Sequence, residues 1–219
     1  MSKLNAVKKE EPLSVKAYYI IREAIISNEL KAGEVLTEEN LAEKLQISRT
    51  PIRAALQRLQ LENIVTVQDK NVVVSTITAK DMHDLNVVRQ SLEPLAIRLL
   101  SETDITDSQM AHLKNILEIQ KGAINSVVND DYSLFLETEY NFHSYIGSLC
   151  GNQYLSDMII NANVLARRAL VLSGTLEKYA ADALAEHLLI YETLCDRRFE
   201  KAAEYMEEHI NKVHQRILV

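Results

Sequence analysis

Arg49 and Arg53 stand four residues apart in the hexapeptide Ser48-Arg49-Thr50-Pro51-Ile52-Arg53. At about 100° per residue that spacing puts both guanidiniums on one face of a helix, one turn apart. A guanidinium is a planar fork that can donate two hydrogen bonds to O6 and N7 of a guanine in the major groove. Hydroxyls and free first-turn amides at a helix start suit phosphate oxygens. Ser48, Arg49, Thr50 and Arg53 are therefore candidate DNA contacts. Ile52, Ala55, Leu56 and Leu59 recur at i, i+3, i+4 and i+7, which marks the buried side of the same helix. Gln57 and Gln60 complete the polar arc. The plainer reading, arginines that merely solvate a surface helix behind a capping serine, depends on what surrounds the hexapeptide.

The surroundings favour contact. Ser14 is expected to cap a first helix running to about Asn28, with Val15, Tyr18, Ile21 and Ile25 inward, closed by a Lys31-Ala32-Gly33 turn. Thr37 is expected to cap a short second helix with Glu38 and Glu39 at its positive end and Leu41 and Leu45 packed inward. Gln46-Ile47 is the turn, and Ser48 caps the third helix, whose first turn tolerates Pro51. Two β-branched runs, Ile64-Val65-Thr66-Val67 and Val72-Val73-Val74, flank Asp69-Lys70-Asn71 and predict a hairpin. Its loop lacks glycine, and Asn71 is the residue best suited to a positive φ. Lys70 at the tip is a candidate minor-groove or phosphate contact, set against plain solvent exposure. Three helices and a hairpin make a winged helix-turn-helix over residues 1–76, preceded by a loose arm over residues 1–12.

After Thr78 only helical periodicity remains. Helices are expected over 79–101, 106–128, 131–149, 152–172, 175–196 and 198–217, with breaks at Glu102–Asp104, Asn129–Asp130, Gly151–Asn152 and Ser173–Gly174. The fold class is thus mainly α, a winged helix-turn-helix followed over 77–219 by an all-helical bundle of about six helices.

The net charge of −7 opposes DNA binding when taken over the whole chain, but residues 1–76 carry 11 Lys/Arg against 10 Asp/Glu and the remainder 13 against 21. The acidity belongs to the second part, and binding depends on where positive charge sits. Cys150 and Cys195 lie far apart without CxxC spacing, and no apolar run reaches the roughly 18 residues of a membrane span. A reduced, soluble, cytoplasmic protein with no membrane partner is the expectation.

Leu36-Thr37-Glu38-Glu39-Asn40-Leu41-Ala42, followed by Ile47 to Arg53 and Ala55-Leu56-Gln57-Arg58-Leu59, resembles the DNA-binding domain of GntR-family transcriptional regulators. Arg89-Gln90-Ser91-Leu92-Glu93, Phe142-His143, Gly151-Asn152, Glu186-His187 and Glu208-His209 resemble landmarks of the FadR-like branch, whose C-terminal half is the FCD effector domain. Six C-terminal helices look more like the VanR-type subgroup. The resemblance implies base or phosphate contacts by Arg49, Thr50 and Arg53. A position basic in some members is Glu39 here and drops out as a phosphate contact.

The resemblance also places His143, His187 and His209 at metal-ligand positions, with Glu139 where Asp is usual. Glu139 and His143 are one helical turn apart, and His187 and His209 come from successive helices. The implied cofactor is a divalent metal ion, zinc, nickel or manganese, with open positions for a small organic acid. The longer Glu139 could bind in two-pronged fashion, displace the metal, or not ligate. Taken alone, each histidine is more often a hydrogen-bonded bundle residue than a ligand, the reading kept for His83, His112 and His214. Arg89 is a candidate for an effector carboxylate, or else a salt-bridge partner of Glu93; Arg167 and Arg168 are further candidates.

The expected function is a homodimeric regulator, a repressor, on a palindromic double-stranded DNA operator, controlled by a small carboxylate at the metal. A metal-responsive regulator and a metalloenzyme that activates water are the rivals.

Overall fold

The structure is a computed structural model and describes residues 11–125 and 132–217. Residues 1–10 of the expected arm over 1–12, and the break at Asn129–Asp130, lie outside the described residues. The chain separates into two units, residues 1–76 and 77–219.

In the first unit, α1 (Leu13–Ile26), α2 (Glu38–Leu45) and α3 (Arg49–Leu61) pack with a three-stranded sheet of β1 (Val35–Leu36), β2 (Val65–Gln68) and β3 (Asn71–Val74), in the order β1-β3-β2. The inward stripes of α1 and α3 meet: Tyr18, Ile21, Ile25, Ile52, Ala55, Leu56 and Leu59 are all buried, while Val15 is half-buried. Helix starts differ from expectation at two places. Helix α1 begins at Leu13 behind Pro12, so Ser14 lies inside the first turn and is not its cap. Ser48 does hold the position before α3, but its hydroxyl makes no capping bond and stays exposed. Thr37 caps α2 as read, its Oγ1 accepting from the Asn40 amide at 3.2 Å.

The hairpin is antiparallel with Gln68 opposite Asn71, which leaves Asp69 and Lys70 as the two turn residues. Both have positive φ, 48° and 69°, whereas Asn71 begins β3. The expectation for Asn71 is therefore corrected. Positive φ at both central positions is the type I′ form of a two-residue turn, whose twist matches that of the flanking strands, and here Asp69 and Lys70 adopt it without a glycine. Strand β1 escapes sequence reading because two residues cannot show alternation. It exists because the turn at Gly33, φ 81°, brings the Gly33 amide to the Val74 carbonyl at 2.9 Å.

The second unit contains α4 (Ala79–Leu99), α5 (Asp107–Asn125), α6 (Ser133–Leu149), α7 (Gln153–Ser173), α8 (Leu176–Cys195) and α9 (Phe199–Ile217), six helices as expected. A single 3-10 turn, Leu100–Glu102, follows α4. Thr78 starts α4 with a capping box, giving to and taking from Asp81. One core joins the helices through Ile97, Leu113, Leu117, Phe142, Ile146, Ile159, Ile190, Met206 and Ile210. At Gly147 a Cβ would stand 3.0 Å from Ile159, so glycine lets α6 and α7 approach closely there. No described helix is long and apolar enough to cross a membrane.

Replacing Asp69-Lys70 by Asn-Gly should stabilise the first unit by about 1 kcal/mol, because left-handed backbone is strained for Lys and costs glycine little. Urea unfolding followed by circular dichroism should show a higher midpoint; an unchanged or lower one would contradict the turn geometry.

Candidate metal centre and nucleic-acid interface

A buried polar cluster lies where α6, α8 and α9 converge. Helix α6 supplies Glu139 and His143, α8 His187 and α9 His209, all buried. One possible ligand atom from each lies within 4.8 Å of the other three. The Nε2 atoms face one another and the carboxylate. His187 and His209 Nε2 are 3.2 Å apart, and Glu139 oxygens stand 3.4 Å, 3.7 Å and 3.9 Å from Nε2 of His143, His187 and His209.

Each ring is held from behind by an oxygen. His143 Nδ1 donates to Glu93 Oε2 on α4 at 2.5 Å, His187 Nδ1 to Gln120 Oε1 on α5 at 2.9 Å, and His209 Nδ1 to Glu186 Oε2 on α8 at 2.8 Å. These acceptors place the proton on Nδ1 and leave the Nε2 lone pairs pointing inward. Gln120 also donates its Nε2 to Glu139 Oε2 at 3.1 Å, so one amide orients two members of the cluster.

Two lone pairs opposed at 3.2 Å repel unless a cation lies between them. His143 Nε2 is buried without a hydrogen-bond partner, and an orphaned buried acceptor is rare enough to need a cause. Two nitrogens at 2.0–2.1 Å from one tetrahedral ion would stand about 3.3 Å apart. The residues present fit a divalent metal ion, and three imidazoles with a carboxylate suit zinc, nickel or manganese.

Electrostatics agree with that donor set at two of the three rings. Burial disfavours charge on every ring; at His187 and His209 it prevails over the nearby carboxylates and lowers both below the usual imidazole value, leaving neutral rings at pH 7. At His143 burial is the largest influence, but Glu93 and Glu139 together outweigh it and raise the ring above its usual value. Burial also opposes ionisation of Glu93, but Arg89 and His143 together outweigh it, and the carboxyl stays far below its usual range.

Arg89 makes the salt bridge that its spacing from Glu93 allows. Its Nε donates to Glu93 Oε1 at 2.7 Å, both side chains are buried, and Asn163 Nδ2 reaches the same oxygen at 3.1 Å. The guanidinium thus lies behind His143, on the far side from the cluster centre. Of the other two arginines Arg168 is buried and Arg167 half-buried. His83 and His214 face each other with centroids 5.7 Å apart and His112 lies against Tyr145, all outside the cluster. A pocket with about 320 Å³ of empty space, part of it open to solvent, has Glu139 in its wall beside Phe135, Leu176, Tyr179, Ala183 and Arg216.

In the first unit Arg49, Thr50 and Arg53 are exposed at the start of α3 and Lys70 is exposed at the hairpin tip. The two arginines are engaged, however. Arg53 donates Nε and an Nη to the two oxygens of Glu38 at 2.7 Å and 2.8 Å, and Arg49 donates to Glu39 at 2.5 Å. The bond from Arg53 holds Glu38 below the usual carboxylate range.

Residues 13–74 match the family described as bacterial regulatory proteins, gntR family, and residues 84–212 match the FCD domain. The chain belongs to the GntR family and carries an FCD domain. This GntR-family regulator is 26% identical over 204 residues to the transcriptional regulator YdhC of Bacillus subtilis, covering 93% of this chain and 90% of that one. It is 32% identical over 144 residues to the gluconate operon transcriptional repressor of the same organism, 63% of this chain and 59% of the relative. In fold it is similar to McbR/YncC of Escherichia coli, TM-score 0.79 at 22% identity over 93% of this chain and 95% of that one. A GntR regulator structure from Rhodococcus sp. RHA1 has TM-score 0.80 at 21% identity, covering 94% and 97%. Relatives and folds are those of transcriptional regulators, so the metalloenzyme reading falls.

Sequence reading of this GntR-family regulator missed Gln120 and Glu186 as partners of the histidines, and saw Glu93 only as a partner for Arg89. Gln120 carried a signal: it continues the buried row Leu113, Ile116, Leu117 of α5, where a polar side chain must find a bond.

Glu93→Leu should cost about 3–5 kcal/mol, because Arg89 then remains as a buried charge without its counter-ion. Arg89→Leu with Glu93→Leu should recover much of that loss. Urea unfolding of both variants is the check; equal losses in the two would contradict the pairing.

Proposed function

We propose that this chain represses transcription as a homodimer on a palindromic operator, and that a small carboxylate acts through a metal ion held by Glu139, His143, His187 and His209. The observation that carries the metal is the inward set of three Nε2 lone pairs, one of them orphaned, around a buried carboxylate. When bound, the ion supplies a Lewis-acid site for an oxygen ligand.

The chain's own residues do the rest. Glu93, Gln120 and Glu186 hold the rings in the ligating tautomer, and Gln120 steadies Glu139. The pocket beside Glu139 supports an organic acid: its wall is mostly apolar, and Arg216 lines it while donating to both oxygens of Glu186 at 2.7 Å and 3.1 Å. A ligand that draws Arg216 from Glu186 would loosen the support of His209. Arg89 meets an effector carboxylate only by exchanging Glu93. A ligand shifts the regulator between DNA-bound and released forms only through differential affinity, and tenfold in operator binding needs about 1.4 kcal/mol.

DNA reading falls to Arg49, Thr50 and Arg53, with the free hydroxyl of Ser48 and the Lys70 ammonium on phosphates. One short helix covers few base pairs, so a two-fold pair of half-sites fits the expected affinity. A metal-responsive regulator is the second reading, favoured by burial so complete that His187 is 0% exposed.

A thermal-shift screen of sugar acids, hydroxy acids and dicarboxylates, with and without chelator, separates the two. The effector reading predicts stabilisation by one acid that chelator abolishes; stabilisation by metal alone, with no acid response, would support the second. Arg49→Ala should weaken operator binding by roughly 1–3 kcal/mol and relax preference at one position per half-site. Equal losses on operator and random DNA in a fluorescence-anisotropy titration would count against base reading.

A further inference from the structure

We propose that Glu38 and Glu39 set the specificity of the reading helix by occupying its two arginines in the free protein, so that DNA has to compete for them. The inference rests on α3 being the helix that meets DNA. Arg53 is gripped by both oxygens of Glu38 and Arg49 by one oxygen of Glu39, and these are contacts between different helices, 15 and 10 residues apart. They use the same donors that a guanine edge or a phosphate would use.

Both pairs are exposed: the arginine side chains are 60% and 64% exposed. Exposed ion pairs are weak, so the arginines can be released. Release leaves two carboxylates at the surface that faces phosphates, where like charge repels. That penalty is greatest on DNA that draws the arginines to phosphates, because the carboxylates are then carried towards the same charges. Only a site that offers well-placed guanine acceptors to both forks offsets it, and phosphate contact alone does not. Discrimination then comes from a repulsive element against the wrong partner as much as from attraction to the right one. A unit with 11 Lys/Arg against 10 Asp/Glu has little other positive charge to hold random DNA.

The competing account makes the glutamates ordinary first-turn residues of α2, placed where the helix dipole favours carboxylates. The two accounts differ in what removal of the charges does to specificity.

The test uses the full chain with Glu38→Gln and Glu39→Gln together, titrated beside wild type by fluorescence anisotropy at several salt concentrations. The probes are a random-sequence duplex pool and a duplex that wild type recovers from that pool by repeated selection. Glu43→Gln, which removes one charge further along α2, is the control, and Arg49→Ala with Arg53→Ala tests the reading helix. The double glutamine variant should bind the random pool about tenfold more tightly, with a log–log salt slope steeper by about one to two. It should gain less on the recovered duplex, so the specificity ratio falls, while Glu43→Gln leaves that ratio unchanged. A ratio equal to wild type in the double variant, or weaker binding to both probes, would overturn the inference. If the double alanine variant binds the recovered duplex as tightly as wild type, α3 is not the reader and the inference falls with that reading.

Discussion

Four ionisable side chains in the centre of an apolar bundle cannot stay there without compensation, and the second unit is organised around supplying it. Each imidazole of His143, His187 and His209 is fixed through Nδ1 by an oxygen from a helix other than its own. The oxygens are themselves fixed: Glu93 by Arg89 and Asn163, Glu186 by Arg216, and Gln120 by its second bond, to Glu139. Helices α4 to α9 all contribute to this network, so the position of each helix bears on the direction of an Nε2 lone pair. A fully bonded outer ring around an incompletely bonded centre is the pattern that a metal site requires.

The first unit follows a different economy. Its core is ordinary, and the surface proposed to meet DNA lies in a few exposed side chains on α3 and the hairpin tip. The domain places arginines where they can read bases and then sets carboxylates against them. On the proposed reading, near-neutral charge and self-paired arginines lower general affinity for DNA.

Legibility in the sequence followed the range of the interactions involved. Elements set by local patterns were readable: the stripe Ile52, Ala55, Leu56, Leu59 of α3, the six later helices, and the Thr37 cap. Features set by tertiary pairing were not. Strand β1 exists only through β3, Asp69 and Lys70 take left-handed backbone in a turn whose twist matches that of the strands, and Ser48 keeps the cap position without the cap bond. The metal cluster came from family resemblance, since no spacing rule joins residues 139, 143, 187 and 209. The supporting partners lie 50, 67 and 23 residues from their histidines. Gln120 was the exception, a polar residue at an apolar position whose bond could have been sought.

The central claim is that the inward nitrogens hold a metal ion. The most direct measurement is X-ray absorption at the zinc, nickel and manganese edges on the purified full chain, with metal content determined on the same sample. The account predicts about one ion per chain with imidazole scattering, lost in His187→Ala. A well-folded chain that holds no ion after exposure to each metal, or that holds as much after His187→Ala, would contradict it.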